Sequence, residues 1–189
     1  MSDMALNEAI HTQRAIRHFK PDPVDDAIIE QMIEAATRAP NGGNQQPARY
    51  IVIRDRDTKA QLGKIFDELG QAMSYGAPDR TPWPDVPVLI AICTVPGTEG
   101  AGHPPTSEAS VLPAVQNLLL TARSLGIGTV LTTRFRQRED EVKQILGLPA
   151  NGHVHVIVPT GWPARRFGPT TRKPVEEITS RERFGTPWN

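Results

Sequence analysis

Four stretches of this chain carry residue types and spacings that suit ligand chemistry. The first is Gln13-Arg14-Ala15-Ile16-Arg17-His18-Phe19, ahead of the break Lys20-Pro21-Asp22-Pro23. On the last turn of a helix, positions i and i+3 share a face, so Arg14 and Arg17 are expected to converge on one ligand. Paired guanidinium forks with permanent charge suit a phosphate; the alternative is a pair of solvated arginines. The second stretch runs from Arg38 through Pro40, Asn41, Gly42, Gly43, Asn44 and Gln46 to Pro47. Amides and glycines at a helix exit can bring donors against a flat polar ligand, or form an ordinary loop. The third is Leu125-Gly126-Ile127-Gly128-Thr129-Val130-Leu131-Thr132-Thr133. Its glycines permit a tight turn from helix to strand. A dinucleotide fingerprint needs the opposite order, strand before and helix after. The fourth is a basic tail, Arg165, Arg166, Arg172 and Lys173, ahead of Val175-Glu176-Glu177-Ile178. It can complete a phosphate site or form a solvated arm.

Other chemistries find less support. His153 and His155 alternate along one strand, but no further His, Cys or Asp cluster stands at ligand spacing, and no metal is expected. His18 and His103 lack a paired nucleophile, and Ser107, Ser110 and Ser124 lack a nucleophile-elbow context. The sole cysteine, Cys93, lies in the apolar run Val88–Cys93 and reads as a buried thiol. Phosphate and polar-ring contacts without a nucleophile or acid–base dyad describe an enzyme whose cofactor performs the reaction.

The elements that position these stretches follow from periodicity. A first helix, capped by Asp3, is expected to face Leu6 and Ile10 inward and to run into the arginine pair. A second restarts after Pro23, burying Ile28, Met32, Ile33, Ala35, Ala36 and Ala39. Tyr50–Arg54 reads as a strand, and a third helix opens at Asp57 with Leu62, Ile65, Phe66 and Leu69 on one side. Residues 74–87 form a proline- and aromatic-containing loop. Val88–Thr94 reads as a central strand. The core helix starts at Glu108 and is capped by Gly126. A strand over Thr129–Thr133, a short helix over Asp140–Leu146 and a strand over His153–Pro159 follow. Two helices precede the first strand, which argues for α+β rather than regular βαβ alternation.

A chain of 189 residues suggests one domain spanning 1–189. The formal net charge is zero, and without a basic run no nucleic-acid partner is expected. No segment reaches membrane-span length, the N-terminus lacks a secretory pattern, and one cysteine fits a cytoplasmic location. Residues 163–189 have little to bury locally and read as an arm that docks on another subunit of a homodimer.

Taken in order, the four stretches resemble the nitroreductase family of flavin-dependent oxidoreductases. Residues 13–19 resemble its Arg-Arg-Ser-x-Arg-x-Phe motif. Ala35-Ala36-Thr37-Arg38-Ala39-Pro40 through Gln46-Pro47 resembles Ala-Ala-x-x-Ala-Pro-Ser-x-x-Asn-x-Gln-Pro-Trp. Gln116-Asn117-Leu118-Leu119-Leu120 through Thr129 is similar to its core helix and glycine turn. Gly161-Trp162-Pro163 with Arg172-Lys173-Pro174-Val175-Glu176-Glu177 resembles Gly-Tyr-Pro…Arg-x-Pro-x-Glu-Glu. The resemblance implies a largely antiparallel sheet flanked by helices, in an intertwined homodimer with FMN at the interface. It implies hydride transfer from NADH or NADPH through FMN, ping-pong, to a small organic acceptor such as a nitroaromatic or quinone. Relatives that cleave flavin or remove halogen, and a flavin-storage role, are the alternatives.

By carry-over, Arg14, Ala15 and Arg17 contact the FMN phosphate and ribityl region, and Arg172 completes the phosphate site. Pro40, Asn41, Gly42, Asn44 and Gln46 approach the flavin from the partner subunit, and Leu131, Thr132 and Thr133 lie near the ring. Tyr75 and Trp83 are expected in the substrate-pocket wall. Gln13, Ala15, Asn41 and Ala48 depart from the family's arginine, two serines and tryptophan. With Gln13 and Ala15 beside the pair, Arg17 and Arg172 are expected to hold the phosphate and Arg14 to lean over the ring or ribityl chain.

Overall fold

The computed structural model describes residues 4–73, 79–95 and 104–188. The elements in chain order are α1 (Leu6–Thr12), α2 (Asp26–Thr37), β1 (Arg49–Ile53), α3 (Arg56–Ala72), β2 (Val88–Thr94), α4 (Pro104–Ser124), β3 (Gly128–Thr129), α5 (Glu139–Leu146), β4 (His153–Gly161) and α6 (Val175–Ile178). The strands form one sheet in the order β1-β2-β4-β3, and every neighbouring pair is antiparallel. The architecture is α+β.

The sheet divides two cores. Successive side chains of a strand point to opposite faces. Leu89, Ala91 and Cys93 of β2 therefore pack with Leu62, Phe66, Leu69 and Trp83 on the α3 side. Val88, Ile90 and Ile92 pack with Met32, Val111, Val115 and Leu118 on the α2 and α4 side. All of β2 is buried, which explains its unbroken apolar sequence. The pairing of β2 with β4 slips by one residue between Ile92 and Cys93, leaving His155 as the extra residue of a bulge.

Several boundaries differ from expectation for identifiable reasons. Helix α1 stops at Thr12, and Gln13 is already extended. Leu6 and Ile10, expected inside, are 67% and 48% exposed, while Ala9 is buried. Asp3 lies outside the described residues. Helix α3 starts at Arg56 because the Asp55 carboxylate caps it, accepting from the Thr58 N–H at 2.7 Å. Helix α4 starts at Pro104 rather than Glu108; prolines lose nothing in a first turn, where the N–H has no helical partner. The strand expected over Thr129–Thr133 shortens to Gly128–Thr129, with a separate bridge from Thr132 to Ile157. Both pairings share one register. Between them Val130 donates to the Pro159 carbonyl at 3.2 Å, but proline has no N–H to return the bond.

The segment 13–20 runs along β3 and the start of the tail. Ala15 bridges Thr129 in the parallel sense, and Phe19 bridges Pro163. Ile16 donates to the Thr129 carbonyl at 2.9 Å, and Ala164 donates to His18 at 2.9 Å. The Arg123 guanidinium lies 4.2 Å from the Phe167 ring centroid. Residues 163–170 are thus tied to their own chain, whereas α6 and residues beyond it present Val175, Ile178, Phe184 and Trp188 to solvent. Among the described residues no helix is long and apolar enough to cross a membrane.

Candidate active site

Because α1 ends early, Arg14 and Arg17 do not share a helical face. They lie on extended backbone either side of the Ala15 and Ile16 contacts with β3, where positions three apart point to opposite sides. The Arg14 guanidinium lies alongside Gly168, with Nη1 3.7 Å from where a Cβ would sit. Arg17 instead lines a cavity of about 420 Å³ that Phe66, Trp83, Val130, Thr132 and Arg134 also line. A second, more open lobe of about 430 Å³ shares Arg17, Phe66, Val130, Thr132 and Arg134 and adds Leu131, Thr133 and Arg136. Neither Arg14 nor Arg17 has a side-chain partner among the described residues, whereas Arg38, Arg54, Arg56, Arg80, Arg123, Arg136 and Arg138 all meet carboxylates.

The 131–133 segment is held open toward this cavity by β4. Thr132 donates its N–H to Ile157 at 3.0 Å and its hydroxyl to the same carbonyl at 2.6 Å. Leu131 is left 40% exposed. The opposite wall is a stack of rings and guanidinium groups. Trp83 is buried and stacks on Phe66, with centroids 4.7 Å apart at 29°. Arg80 lies 5.2 Å from Phe66 and 5.7 Å from Trp83 and ion-pairs with Asp67. Arg134 covers Phe66 at 4.3 Å. Lys59 pins the Trp83 segment to α3, its ammonium donating to the Val86 carbonyl at 2.6 Å. Burial pulls the Lys59 pKa down. Tyr75, expected in the same wall, lies outside the described residues.

The 40–46 loop occupies a different place. It lines a cavity of about 230 Å³ through Asn41 and Gln46, together with Ala48, Tyr50 and Ser110. Its shape is set by three consecutive constraints. Gly42 donates to Ser110 Oγ at 3.0 Å. Asn41 Oδ1 accepts from the Gln46 N–H at 2.8 Å. Gly43, Asn44 and Gln46 take φ values of 56°, 54° and 51°, interrupted by right-handed Gln45; non-glycine residues adopt such values only when surroundings hold them there. Pro40 is exposed at the exit of α2. Arg172, on the tail, donates to the Thr171 carbonyl at 2.8 Å. The cavity and its open lobe therefore bring together Arg17, Trp83 and Leu131–Thr133. Arg14, Arg172 and the 40–46 loop line neither lobe, whereas Arg165 reaches the cavity's Asp79 at 3.7 Å.

Other reactive groups are occupied elsewhere. Burial pushes the Cys93 thiol up to about 12, with Glu139 adding to the effect. His155 is buried in the bulge with Nε2 3.0 Å from Thr94 Oγ1, and burial lowers its pKa. Among the described residues no group of three or more potential ligands could hold a metal. Arg134 escaped the sequence reading. Its signal was indirect: a cation directly after Thr132-Thr133, and an unexplained glycine, Gly70, inside α3.

The nitroreductase family model matches residues 10–162. The chain belongs to the nitroreductase family. A protein of Archaeoglobus fulgidus, whose name pairs NADH dehydrogenase with NAD(P)H nitroreductase, is 31% identical over 157 residues, covering 82% of this chain and 83% of that one. An iodotyrosine deiodinase of Nematostella vectensis is 27% identical over 193 residues, covering 90% and 72%. A structure from Desulfovibrio desulfuricans, solved in complex with FMN, is 26% identical with a TM-score of 0.76, covering 97% and 99%. Membership of the nitroreductase family fits the α+β sheet and the order of the four stretches.

Proposed function

We propose that this nitroreductase-family chain is an FMN-dependent oxidoreductase that passes hydride from NADH or NADPH to a small organic acceptor, such as a nitroaromatic or quinone. It works as a homodimer in the cytoplasm. The observation that carries the reading is the donor set. Two guanidinium groups that meet no carboxylate among the described residues flank the Ala15–Thr129 bridge, one toward the tail and one toward an aromatic-walled cavity. That set fits a ligand with an anionic end and a flat polar ring. When bound, FMN supplies the hydride chemistry in a ping-pong exchange.

The chain's own residues divide the work of holding it. The geometry favours Arg14, together with Arg172 on the adjoining tail, at the phosphate end. It favours Arg17 at the ring end, beside Leu131, Thr132 and Thr133, as a cation on the cavity wall where negative charge develops. This is the reverse of the division that the motif departures alone suggest. Ala15 offers no hydroxyl, so one neutral hydrogen bond is absent, about 0.5–1.5 kcal/mol. The loop of Pro40, Asn41, Gly42, Asn44 and Gln46 reaches the ring only if a second subunit supplies it, which supports the homodimer. So do the exposed Leu6 and Ile10 on α1, and the exposed apolar residues of the tail. Trp83 walls the acceptor pocket through its stack on Phe66.

The test is purification followed by absorbance spectroscopy, with titration by NADH and by NADPH under anaerobic conditions. The expected result is bound flavin that either nicotinamide bleaches and a nitroaromatic or quinone restores. Protein that stays colourless after incubation with FMN refutes the reading. Bound flavin that neither nicotinamide reduces supports the flavin-storage alternative. The deiodinase relative supports a second reading, reductive dehalogenation, so a halogenated phenol belongs in the acceptor panel.

A further inference from the structure

Helix α3 carries Gly63 and Gly70, seven apart and hence on one face. Glycine inside a helix is less favourable than alanine, and here each makes room for one side chain. A Cβ at Gly63 would sit 2.9 Å from Trp83 Cβ, and a Cβ at Gly70 would overlap Arg134 Nη1. The relieved surface seats Trp83 on one part of the Phe66 ring stack and Arg134 on another. Arg134 also donates to the Phe66 carbonyl at 3.3 Å. Its guanidinium is thus set at the junction of the two cavity lobes.

The charges around it are one-sided. Among the described residues the outer lobe is lined by Arg17, Arg134 and Arg136 and by no acid. Arg136 is held by Glu108 at 2.5 Å. Among the described residues the inner lobe has two acids, both engaged. Asp67 pairs with Arg80, and Asp79 lies 3.1 Å from His18 and 3.7 Å from Arg165. We propose that Arg134 is a specificity-determining residue that selects flat aromatic acceptors bearing a carboxylate. The ring packs in the cavity against Val130, beside the covered Phe66 stack, and the carboxylate meets the Arg134 fork, a charge-assisted pairing that a neutral analogue cannot make. This inference rests on the acceptor reading above and names the acceptor's class.

The test uses flavin-loaded protein without reductant, titrated calorimetrically with 4-nitrobenzoate and with its neutral counterpart 4-nitrobenzamide. The wild type is expected to bind the carboxylate roughly tenfold more tightly, as a charged hydrogen bond replaces a neutral one. Arg134→Gln brings the ratio close to one, and Arg134→Lys keeps part of it. Gly70→Ala, which displaces the guanidinium without removing it, lowers the ratio while leaving the melting temperature unchanged or raised. It decides the matter if Arg134→Gln does not fold. Equal affinities in flavin-retaining wild type overturn this inference and leave the oxidoreductase reading intact. An undiminished preference in Arg134→Gln does the same. Failure to retain flavin overturns both.

Discussion

Gly128→Ala probes the joint between the N-terminal segment and the sheet. A Cβ at this position would sit 2.7 Å from Ile16 Cγ2 and 3.0 Å from Ile16 Cβ. The second contact is close to the backbone, so a rotamer change cannot relieve it. Ile16 is 5% exposed, and its N–H donates to Thr129, the residue after the substitution, at 2.9 Å. Overpacking of this kind costs about 1–3 kcal/mol, and loss of the hydrogen bond adds about 0.5–1.5 kcal/mol. For a chain of this size each kcal/mol shifts the melting temperature by roughly 2–4 °C, so a fall of about 3–18 °C is expected. Ile16 immediately precedes Arg17, so the same displacement should weaken FMN retention several-fold. The assay is thermal unfolding at fixed protein concentration, since subunit association shifts apparent stability, with an FMN titration of each variant. Ile16→Ala in the Gly128→Ala background should cost less than Ile16→Ala alone, because the two residues share one contact. A variant melting within about 2 °C of wild type, with unchanged FMN affinity, refutes the reasoning.

Arg14→Ala is expected to strip FMN more readily than Arg17→Ala, by about 1.5–3 kcal/mol for a lost charged hydrogen bond, and Arg17→Ala to lower the bound flavin's reduction potential; dialysis and redox titration check this, and the opposite ranking counts against it. Trp83→Ala should cost about 3–5 kcal/mol in urea unfolding, as deletion of a buried aromatic does, and Trp83→Phe less, because a ring still stacks on Phe66. Burial lowers the His155 pKa, Glu108 opposes this, Arg136 and His153 reinforce it, and Glu139 opposes it. The unfolded chain then binds the proton more readily, so stability is full above pH ~6.5 and falls as pH drops from there toward the folded pKa. His155→Asn should flatten that slope, and urea midpoints at several pH values between 5 and 8 measure it.

Much of the fold is legible because one strong pattern governs each element. The unbroken run Val88–Thr94 announces a strand with both faces covered. The Leu62, Ile65, Phe66 and Leu69 spacing announces α3. What the pattern hides depends on partners distant in sequence. Leu6 and Ile10 have helical spacing, but α1 turns Ala9 inward and, among the described residues, leaves both of them exposed. Thr129–Thr133 has strand composition, yet its ladder breaks at Pro159, thirty residues downstream by sequence numbering. At the site, residue identity was readable and geometry was not. The spacing of Arg14 and Arg17 suggests convergence only on a helix, and the extended backbone sends them apart. Arg134 was hidden because its position depends on an empty space at Gly70, which no motif records.

The bulge at His155 has a consequence for chain length. Cys93 opposite Val154 and Ile92 opposite Val156 each keep to one face, so the strand would alternate correctly with or without the residue between them. Position 155 is a spare tooth in the ladder. A deletion there removes a residue without turning the neighbouring side chains inside out, whereas deletion of almost any other residue of β4 would exchange the contents of the two cores. What the deletion would forfeit is the hydrogen bond between the His155 ring and Thr94 and the His155 carbonyl, which accepts from Arg136 at 3.0 Å. The bulged residue therefore serves as a peg from which the sheet suspends the segment following Thr133.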